Sequence, residues 1–256
     1  MKCSPCSSEP VALPQIKGFI ENTLIDWPGR IAAEVFLAGC NFRCPFCHAG
    51  HLVLRPNTLE SIPFETVRAA LTARGEWIDG VVISGGEPTT CKELPALIDA
   101  FAAMGYPVKL DTNGSAPDVL ESLIDAGTIA AVSMDVKGPL DERYDRLAGV
   151  AVDLAAIRRS IALLMSGRIA EVEFRTTVPP GYLDEEAVID IARSIEGAPA
   201  YVLQAFKSGD CLEAAMNEVR SIERDMLKPW VEKVQAYVKH CWVRGTEEIS
   251  PDPGGG

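Results

Sequence analysis

The stretch Ala32-Ala33-Glu34-Val35-Phe36-Leu37-Ala38-Gly39-Cys40-Asn41-Phe42-Arg43-Cys44-Pro45-Phe46-Cys47-His48 joins a short apolar run to a loop that carries three cysteines. The run from Ala32 to Leu37 has the length and composition of a buried strand. Further short apolar runs follow and alternate with longer amphipathic segments, a pattern typical of strand-helix-strand units around a parallel sheet. The stretch therefore predicts an α/β fold in which a cysteine loop follows the first parallel strand.

Six apolar runs are predicted as strands and five amphipathic segments between them as helices. The predicted strands are residues 32–37, 80–84, 107–111, 130–135, 171–178 and 201–205, and the predicted helices are residues 63–74, 92–104, 116–126, 153–166 and 184–195. Parallel strands joined by helices close into a barrel or part of one, and ligands bind where the carboxyl ends of the strands meet. We therefore expect a partial (β/α)6 TIM-like barrel with its site at that end.

The segments on either side of this barrel predict smaller additions. Residues 15–24 lead through the turn residues Asp26-Trp27-Pro28-Gly29 to the first parallel strand, which indicates an N-terminal hairpin flap. Pro229 is expected to open a C-terminal helix whose apolar stripe covers the barrel, formed by Trp230, Val231, Val234 and Val238. The predicted divisions are a disordered N-terminal segment (1–14), a core domain (15–210), a C-terminal helical extension (211–248) and a disordered tail (249–256).

Composition narrows the possible partners. The chain has 256 residues, of which 24 are basic and 36 acidic, and its net charge of −12 opposes binding to nucleic acid or to an anionic membrane. The sequence shows no signal-peptide core and no apolar run long enough to span a membrane, so we expect a cytoplasmic protein. Eight cysteines are too few for a disulfide scaffold of this size, and their clustering favours metal binding or catalysis.

The cysteine loop places Cys40, Cys44 and Cys47 at a Cys-x3-Cys-x2-Cys spacing. Iron–sulfur clusters are usually held by four cysteines, so a compact set of three leaves one iron free to bind another ligand. A zinc site formed by the same thiolates and His48 is the alternative, because three Cys and one His are an accepted zinc set. Adjacent Cys47 and His48 would be an awkward pair of ligands, which disfavours zinc without excluding it.

Polar motifs follow the next strands. Ser84-Gly85-Gly86-Glu87-Pro88 ends the second predicted strand, where glycines let a ligand approach the backbone and a carboxylate can accept bonds from an ammonium group. Asp111 and Asp135 close the third and fourth strands. A carboxylate at the end of a buried strand is costly unless it is paired, so both predict a cation or a basic partner such as Lys137, and strand-end capping is the alternative.

The cysteine spacing resembles that of the radical S-adenosylmethionine (SAM) superfamily. The resemblance implies a [4Fe–4S] cluster held by Cys40, Cys44 and Cys47, with SAM bound through its amino and carboxylate groups to the open iron. Reductive cleavage of SAM then releases a 5′-deoxyadenosyl radical. It also implies that Phe46 lies against the adenine, and that Gly85, Gly86 and Glu87 bind the amino group of SAM, with Glu87 as the side-chain partner.

Within the superfamily, the strand ends resemble the glycyl-radical-enzyme activases, the group of pyruvate formate-lyase activating enzyme. That resemblance implies that Asp111, Thr112 and Asp135 surround a monovalent cation beside SAM, that Lys137 binds the SAM carboxylate, and that Arg175 lies near SAM. The residues from Gly18 to Pro45 look most like the activating proteins of anaerobic ribonucleoside-triphosphate reductase. Ala49 departs from the pattern, since relatives commonly have Asn there.

We therefore expect an enzyme that removes a hydrogen from a glycine of a partner glycyl radical enzyme. The absence of cysteine from residues 51–79 excludes an inserted ferredoxin-like segment there and favours a partner of the reductase or formate-lyase type. The anaerobic reductase is the expected partner, with a flavodoxin- or ferredoxin-type protein as electron donor. The alternatives are a radical SAM enzyme that acts on a small metabolite and a non-catalytic zinc-binding interaction module. An open groove would favour a protein substrate, whereas a closed polar pocket would favour a metabolite. No role is predicted for Cys3, Cys6, Cys91, Cys211 or Cys241.

Overall fold

The computed structural model describes residues 12–245. The pair Cys3 and Cys6, most of the predicted disordered N-terminal segment and the predicted tail 249–256 lie outside the described residues. Among residues 12–245, no helix combines the length and the apolar character needed to cross a membrane.

The described part of the chain contains eight strands and eight α-helices, and each strand from β2 to β7 is followed by one or two of these helices. The strands are β1 (Ile16–Thr23), β2 (Ala32–Leu37), β3 (Gly80–Gly85), β4 (Val108–Thr112), β5 (Ala131–Asp135), β6 (Glu171–Val178), β7 (Tyr201–Ala205) and β8 (Cys241–Arg244). The helices are α1 (Gly50–Leu54), α2 (Phe64–Arg74), α3 (Leu94–Ala103), α4 (Pro117–Ala126), α5 (Arg143–Ala148), α6 (Leu154–Met165), α7 (Glu185–Ser194) and α8 (Arg224–Val234).

The strands form one open sheet in sequence order, from β1 at one edge to β8 at the other. Strand β1 pairs antiparallel with β2, as the predicted flap requires, and every later pair is parallel. The predicted α/β partial barrel is thus confirmed. The six predicted parallel strands are present as β2 to β7, the flap adds β1, and β8 is a further parallel strand that was not predicted. Strand β8 belongs to the C-terminal segment predicted as helical, and its four residues extend the sheet by pairing with β7.

The two faces of the sheet differ in polarity. The outer face packs against the helices in one large core, which includes Val35, Ile83, Leu110, Met134, Phe174 and Leu203 from the strands and Leu71, Leu97, Ile157 and Val188 from the helices. The alternate positions carry buried polar and charged side chains, namely Glu34, Lys109, Asp111, Ser133, Glu173 and Arg175. Because side chains alternate across a strand, these residues share the inner face of the partial barrel. We call them the inner layer.

Helix α8 corrects a predicted boundary. It begins at Arg224 and contains Pro229 in its interior, whereas the sequence predicted that Pro229 opens the helix. The missing N–H of a proline removes one helical hydrogen bond. The helix continues across Pro229 because Leu227 and Val234, two turns apart, are both fully buried on its inner side. Trp230 and Val231 pack against the core, as predicted for the apolar stripe, but Val238 lies beyond the end of α8 and is buried outside the helix.

The turn between β1 and β2 closes the amino-terminal end of the partial barrel. Trp27 is only 1% exposed and forms a small cluster with Ala32, Val82 and Ala131, separate from the main core. Its Nε1 donates a hydrogen bond of 2.7 Å to Glu171 Oε2 on β6. The flap therefore places an indole ring beneath the inner layer and attaches β1 to a distant strand.

We expect Trp27→Ala to lower the free energy of unfolding by about 3–5 kcal/mol, since a fully buried indole and its hydrogen bond are both lost. Urea unfolding followed by circular dichroism measures the change. Trp77 is 76% exposed, so Trp77→Ala is the matched control and should change stability by less than about 0.5 kcal/mol. Equal effects of the two substitutions would show that Trp27 does not close the barrel.

Candidate active site

The twelve residues predicted to contact a cluster, SAM or a cation line one cavity of about 360 Å³ at the carboxyl ends of the strands. They are Cys40, Cys44, Phe46, Cys47, Gly85, Gly86, Glu87, Asp111, Thr112, Asp135, Lys137 and Arg175. They come from β3 to β6 and from the loops that follow β2, β3 and β5. Parallel strands in sequence order bring these loops to one end, as the barrel prediction requires.

The three predicted cluster ligands border this cavity as free thiols. Cys44 is buried, and burial raises its pKa to about 12; burial also raises the pKa of Cys40. The ammonium of Lys137 acts in the opposite direction on both thiols. Thiols in such surroundings stay protonated until a metal centre replaces the proton. Three thiols beside one positive charge are a donor set that fits an iron–sulfur cluster with one open iron.

Backbone contacts hold the cysteine loop in place. The Leu212 N–H donates to the Cys47 carbonyl and the Glu213 N–H donates to the Pro45 carbonyl, each at 2.9 Å. His48 Nε2 lies 2.8 Å from the Lys207 carbonyl oxygen, so that nitrogen is already in contact with the backbone. Within residues 12–245, no three His, Cys, Asp or Glu side chains are grouped to hold a single metal ion. The zinc alternative therefore gains no support from His48.

Gly85 and Gly86 pack against the backbone that enters the cysteine loop. The Gly86 N–H donates to the Leu37 carbonyl at 2.8 Å, and the Glu87 N–H donates to the Gly39 carbonyl at 2.7 Å. A Cβ on Gly86 would lie 1.9 Å from the Gly39 carbonyl oxygen. The glycines thus permit close contact between two backbone segments, a reason for the motif that the sequence analysis did not consider.

The Glu87 carboxylate is fully engaged inside the protein, where the residue is 1% exposed. Oε1 accepts hydrogen bonds from Thr89 N at 3.1 Å, Thr89 Oγ1 at 2.5 Å and Thr112 Oγ1 at 2.7 Å. Oε2 accepts a bond of 2.6 Å from the Asn113 backbone N–H. Burial raises the pKa of Glu87, although these hydrogen bonds act against that rise. Glu87 therefore links the end of β3 to the end of β4.

Asp111 and Asp135 are bridged by one guanidinium. Arg175 Nη1 lies 2.9 Å from Asp111 Oδ2, and Arg175 Nε lies 3.0 Å from Asp135 Oδ1. Lys137 Nζ lies 3.2 Å from Asp135 Oδ2. Burial opposes ionisation of Asp135, but Arg175 and Lys137 lower its pKa to about 2. The basic partners predicted for the two strand-end carboxylates are thus both present, and Arg175 is the one that contacts both.

The sequence analysis missed several polar residues of the cavity. Asp26, Glu34 and Gln204 also line it. Asn113 Nδ2 donates to Asn41 Oδ1 at 2.9 Å, which connects the end of β4 to the cysteine loop. Glu34 could have been identified from the sequence, because it is a glutamate in the middle of an otherwise apolar strand. Burial, together with the carboxylates of Asp26 and Asp111, raises the pKa of Glu34 to about 8.

Glu34 makes the stability of the protein depend on pH. Its pKa is higher in the folded chain than in the unfolded chain. Its contribution to the free energy of unfolding is therefore fully present below about pH 4.5 and is lost as the pH rises to about 8. Between about pH 5.5 and about pH 8.5, the free energy of unfolding should fall by on the order of 3 kcal/mol. Urea unfolding at the two pH values tests this. Glu34→Gln should remove the decline, whereas exposed Glu60→Gln should retain it; a decline that persists in Glu34→Gln would assign it to another group.

Glu87→Ala should destabilise the SAM-free protein by about 3 kcal/mol or more, because buried donors from Thr89, Thr112 and Asn113 lose their acceptor. The change in thermal unfolding is measured before any cofactor is added. Exposed Glu218→Ala is the control and should stay within about 0.5 kcal/mol of wild type. A Glu87→Ala protein with wild-type stability and weakened SAM binding would instead support a purely ligand-binding role.

Comparison with known proteins places this site in a family. A sequence model of the radical SAM superfamily matches residues 35–193. A Methanocaldococcus jannaschii protein described as "Putative glycyl-radical enzyme activating enzyme MJ1227" is 32% identical over 244 residues, covering 91% of this chain and 98% of that protein. A 7-carboxy-7-deazaguanine synthase of Halobacterium salinarum is 36% identical over 87 residues, 34% of this chain and 33% of that enzyme.

Among solved structures, a domain of a pyruvate-formate lyase-activating enzyme from Bacteroides vulgatus superposes with a TM-score of 0.51 at 14% identity. The superposition covers 66% of this chain and 99% of that domain, and at this identity it supports the fold alone. The family implies a [4Fe–4S] cluster and SAM as cofactors. Because the family model spans more than half of the chain and the M. jannaschii relative spans nearly all of it, this chain belongs to the radical SAM superfamily and is a radical SAM enzyme.

Proposed function

We propose that this enzyme activates a glycyl radical enzyme by removing a hydrogen atom from a glycine α-carbon of that partner. The main observation that supports this proposal is the shape of the cavity beside the cysteine loop. Phe36, His48, Ala49 and Gly85 line the cluster cavity and also a neighbouring pocket of about 340 Å³ beside β1. The two spaces therefore share a wall, and together they offer a groove to an extended segment of protein.

The chemistry follows from the cofactors that the family implies. When bound and reduced by the electron donor, the cluster would supply one electron to SAM, so that methionine and a 5′-deoxyadenosyl radical are released. The radical would take the glycine hydrogen to become 5′-deoxyadenosine. In this proposal Cys40, Cys44 and Cys47 hold the cluster. Lys137, whose ammonium faces the cavity beside Asp135, binds the SAM carboxylate.

Phe46 and the glycine motif complete the proposed SAM site. Phe46 is buried and packs its ring edge to face with Tyr182, with the ring centroids 6.5 Å apart, while it also lines the cavity. A ring held in this way is suited to contact adenine. Since the Glu87 carboxylate is occupied, we propose that the Gly85-Gly86-Glu87 segment contributes to amino-group binding mainly through its backbone.

Anaerobic ribonucleoside-triphosphate reductase is the partner we propose, with a flavodoxin- or ferredoxin-type protein as electron donor. The motifs from Gly18 to Pro45 support this choice. So does the stretch of residues 51–79, which contains no cysteine and folds mainly as α1 and α2. A minimal activase of this kind has no second cluster in that stretch, so electrons would enter through the cysteine loop alone.

A second candidate is a radical SAM enzyme that acts on a polar metabolite. The observation that favours it is the polar lining of the cavity, to which Glu34 and Arg175 of the inner layer and Gln204 contribute. Such groups can orient a small polar molecule. The partial similarity to 7-carboxy-7-deazaguanine synthase is consistent with this candidate, although it covers only 34% of this chain.

The decisive experiment uses the reductase labelled with glycine deuterated at the α-carbon. The enzyme is incubated without oxygen with the labelled reductase, SAM and a strong reductant. Deuterium should then appear in 5′-deoxyadenosine, because the glycine is the hydrogen donor. Mass spectrometry measures the label, and electron paramagnetic resonance should show a doublet on unlabelled reductase that collapses on deuteration. Cys44→Ala should lose the cluster and both signals, whereas Cys241→Ala, a buried cysteine outside the cavity, should retain both.

SAM cleavage without label transfer or a radical on the reductase would contradict this partner but not the radical SAM family. Candidate metabolites would then be tested by the same transfer of label into 5′-deoxyadenosine. Full cluster content in Cys44→Ala would contradict the proposed ligand set.

A further inference from the structure

The resemblance to the activases predicts a monovalent cation among Asp111, Thr112 and Asp135, and the structure allows a test of whether these residues fit one. Arg175 occupies the space between the two carboxylates. Its Nη1 contacts Asp111 Oδ2 at 2.9 Å, while Nε and Nη2 contact the two oxygens of Asp135 at 3.0 and 3.4 Å. One guanidinium thus makes a two-point contact with one carboxylate and a single contact with the other.

Thr112, the third expected cation ligand, is also engaged. Its hydroxyl donates to Glu87 Oε1 at 2.7 Å and accepts a hydrogen bond of 3.1 Å from the Gly114 N–H. A hydroxyl has one proton and two lone pairs, so only one acceptor position is left. Of the side-chain oxygens that would surround an alkali ion, all but Asp111 Oδ1 therefore already make hydrogen bonds or ion pairs within the protein.

Arg175 is held in this position by the sheet. It is 8% exposed, and the parallel register of β5 and β6 places it directly beside Asp135. Its own carbonyl accepts a hydrogen bond of 2.9 Å from the Val136 N–H. A side chain fixed on the interior of a sheet by two ion pairs has little freedom to move away.

The carboxylates around Arg175 are already paired with cations of the protein. Lys109 Nζ lies 3.8 Å from Asp111 Oδ1, the carboxylate oxygen that has no hydrogen bond among the described residues. Arg244 pairs with Glu173 at 2.8 Å, and Lys137 pairs with Asp135. Glu34 carries a proton at neutral pH, since its pKa is about 8. A further cation would add a positive charge to a buried group that has no unpaired negative charge for it.

We infer that the guanidinium of Arg175 takes the place of the monovalent cation, so that this protein folds and binds SAM without an alkali metal ion. Arg175 is then a positioning residue: it sets the distance between the ends of β4 and β5 and keeps Asp135 beside Lys137.

The wild-type protein tests this first. Its melting temperature without SAM, and its SAM affinity after cluster reconstitution, are measured in potassium, sodium and choline chloride at equal ionic strength. Choline is too large for an oxygen-lined cation site. We expect melting temperatures that agree within about 1 °C and SAM affinities that agree within about twofold. A rise in either quantity that is specific to potassium or sodium would overturn the inference.

The variant Arg175→Met keeps the apolar stem and removes the bridge, leaving Asp111 and Asp135 to repel each other. Its melting temperature in choline chloride should fall by roughly 10 °C. Potassium or sodium should restore part of this loss, since an ion can now enter between the carboxylates. Arg159 is the matched control, because it also bridges two carboxylates, Asp118 and Glu121, but on the exposed surface of α4 and α6. Arg159→Met should show no ion-specific restoration.

If the melting temperature of Arg175→Met does not depend on which cation is present, the inference is overturned, because the pair of carboxylates would then have no affinity for a cation. If Arg175→Met does not fold, the wild-type measurement decides alone. Because melting without SAM needs neither cluster nor partner, this result is separate from the outcome of the activation experiment.

Discussion

Arg175 joins Asp111 to Asp135 across the inside of the sheet, and the site depends on this pairing because the inner layer is built largely from charges. An ion removed from water loses several kcal/mol of solvation, and the loss is offset only when partners lie at hydrogen-bonding distance. Here β2, β4, β5 and β6 each contribute one or more ionisable groups, and Arg175, Lys109, Lys137 and Arg244 each contact a carboxylate. The polar interior is therefore stable only with the strands in this register.

Two further contacts connect that interior to the cysteine loop. Gly85 and Gly86 lie against the Leu37 to Gly39 backbone, and Glu87 collects donors from the end of β4. A chain of contacts therefore runs from the end of β4 through the Glu87 carboxylate to the glycine segment and the start of the cysteine loop. This arrangement explains how a loop with three thiols can be held in position although most of its own contacts are to backbone groups.

The same apparatus can serve two kinds of substrate, and the walls of the cavity decide between them. Near the cysteine loop, the wall shared with the pocket beside β1 suits an extended peptide. Deeper in the partial barrel, Glu34 and Arg175 would suit a small polar molecule. In the proposed function the hydrogen is removed near the cysteine loop, and the groove beside that loop is the feature that favours a peptide.

Much of the fold could be predicted from local patterns. Hydrophobic runs bounded by turns placed β2, β6 and β7 at their observed bounds, since a buried strand needs a continuous apolar segment whatever its neighbours are. Strand β8 and the true start of α8 escaped prediction because both depend on packing: four residues become a strand only by pairing with β7, and Leu227 extends the helix ahead of Pro229 by filling the core.

For the site, the sequence by itself determined which chemical groups are present, because the cysteine spacing and the strand-end motifs are local features. All twelve predicted residues line one cavity. Only the tertiary structure decided which of those groups form ion pairs and hydrogen bonds with one another. Residues 111, 135 and 175 are far apart along the chain, and the parallel register alone makes Arg175 the partner of both carboxylates. The same holds for Glu87, whose donors come from another strand and leave its side chain little capacity for a ligand.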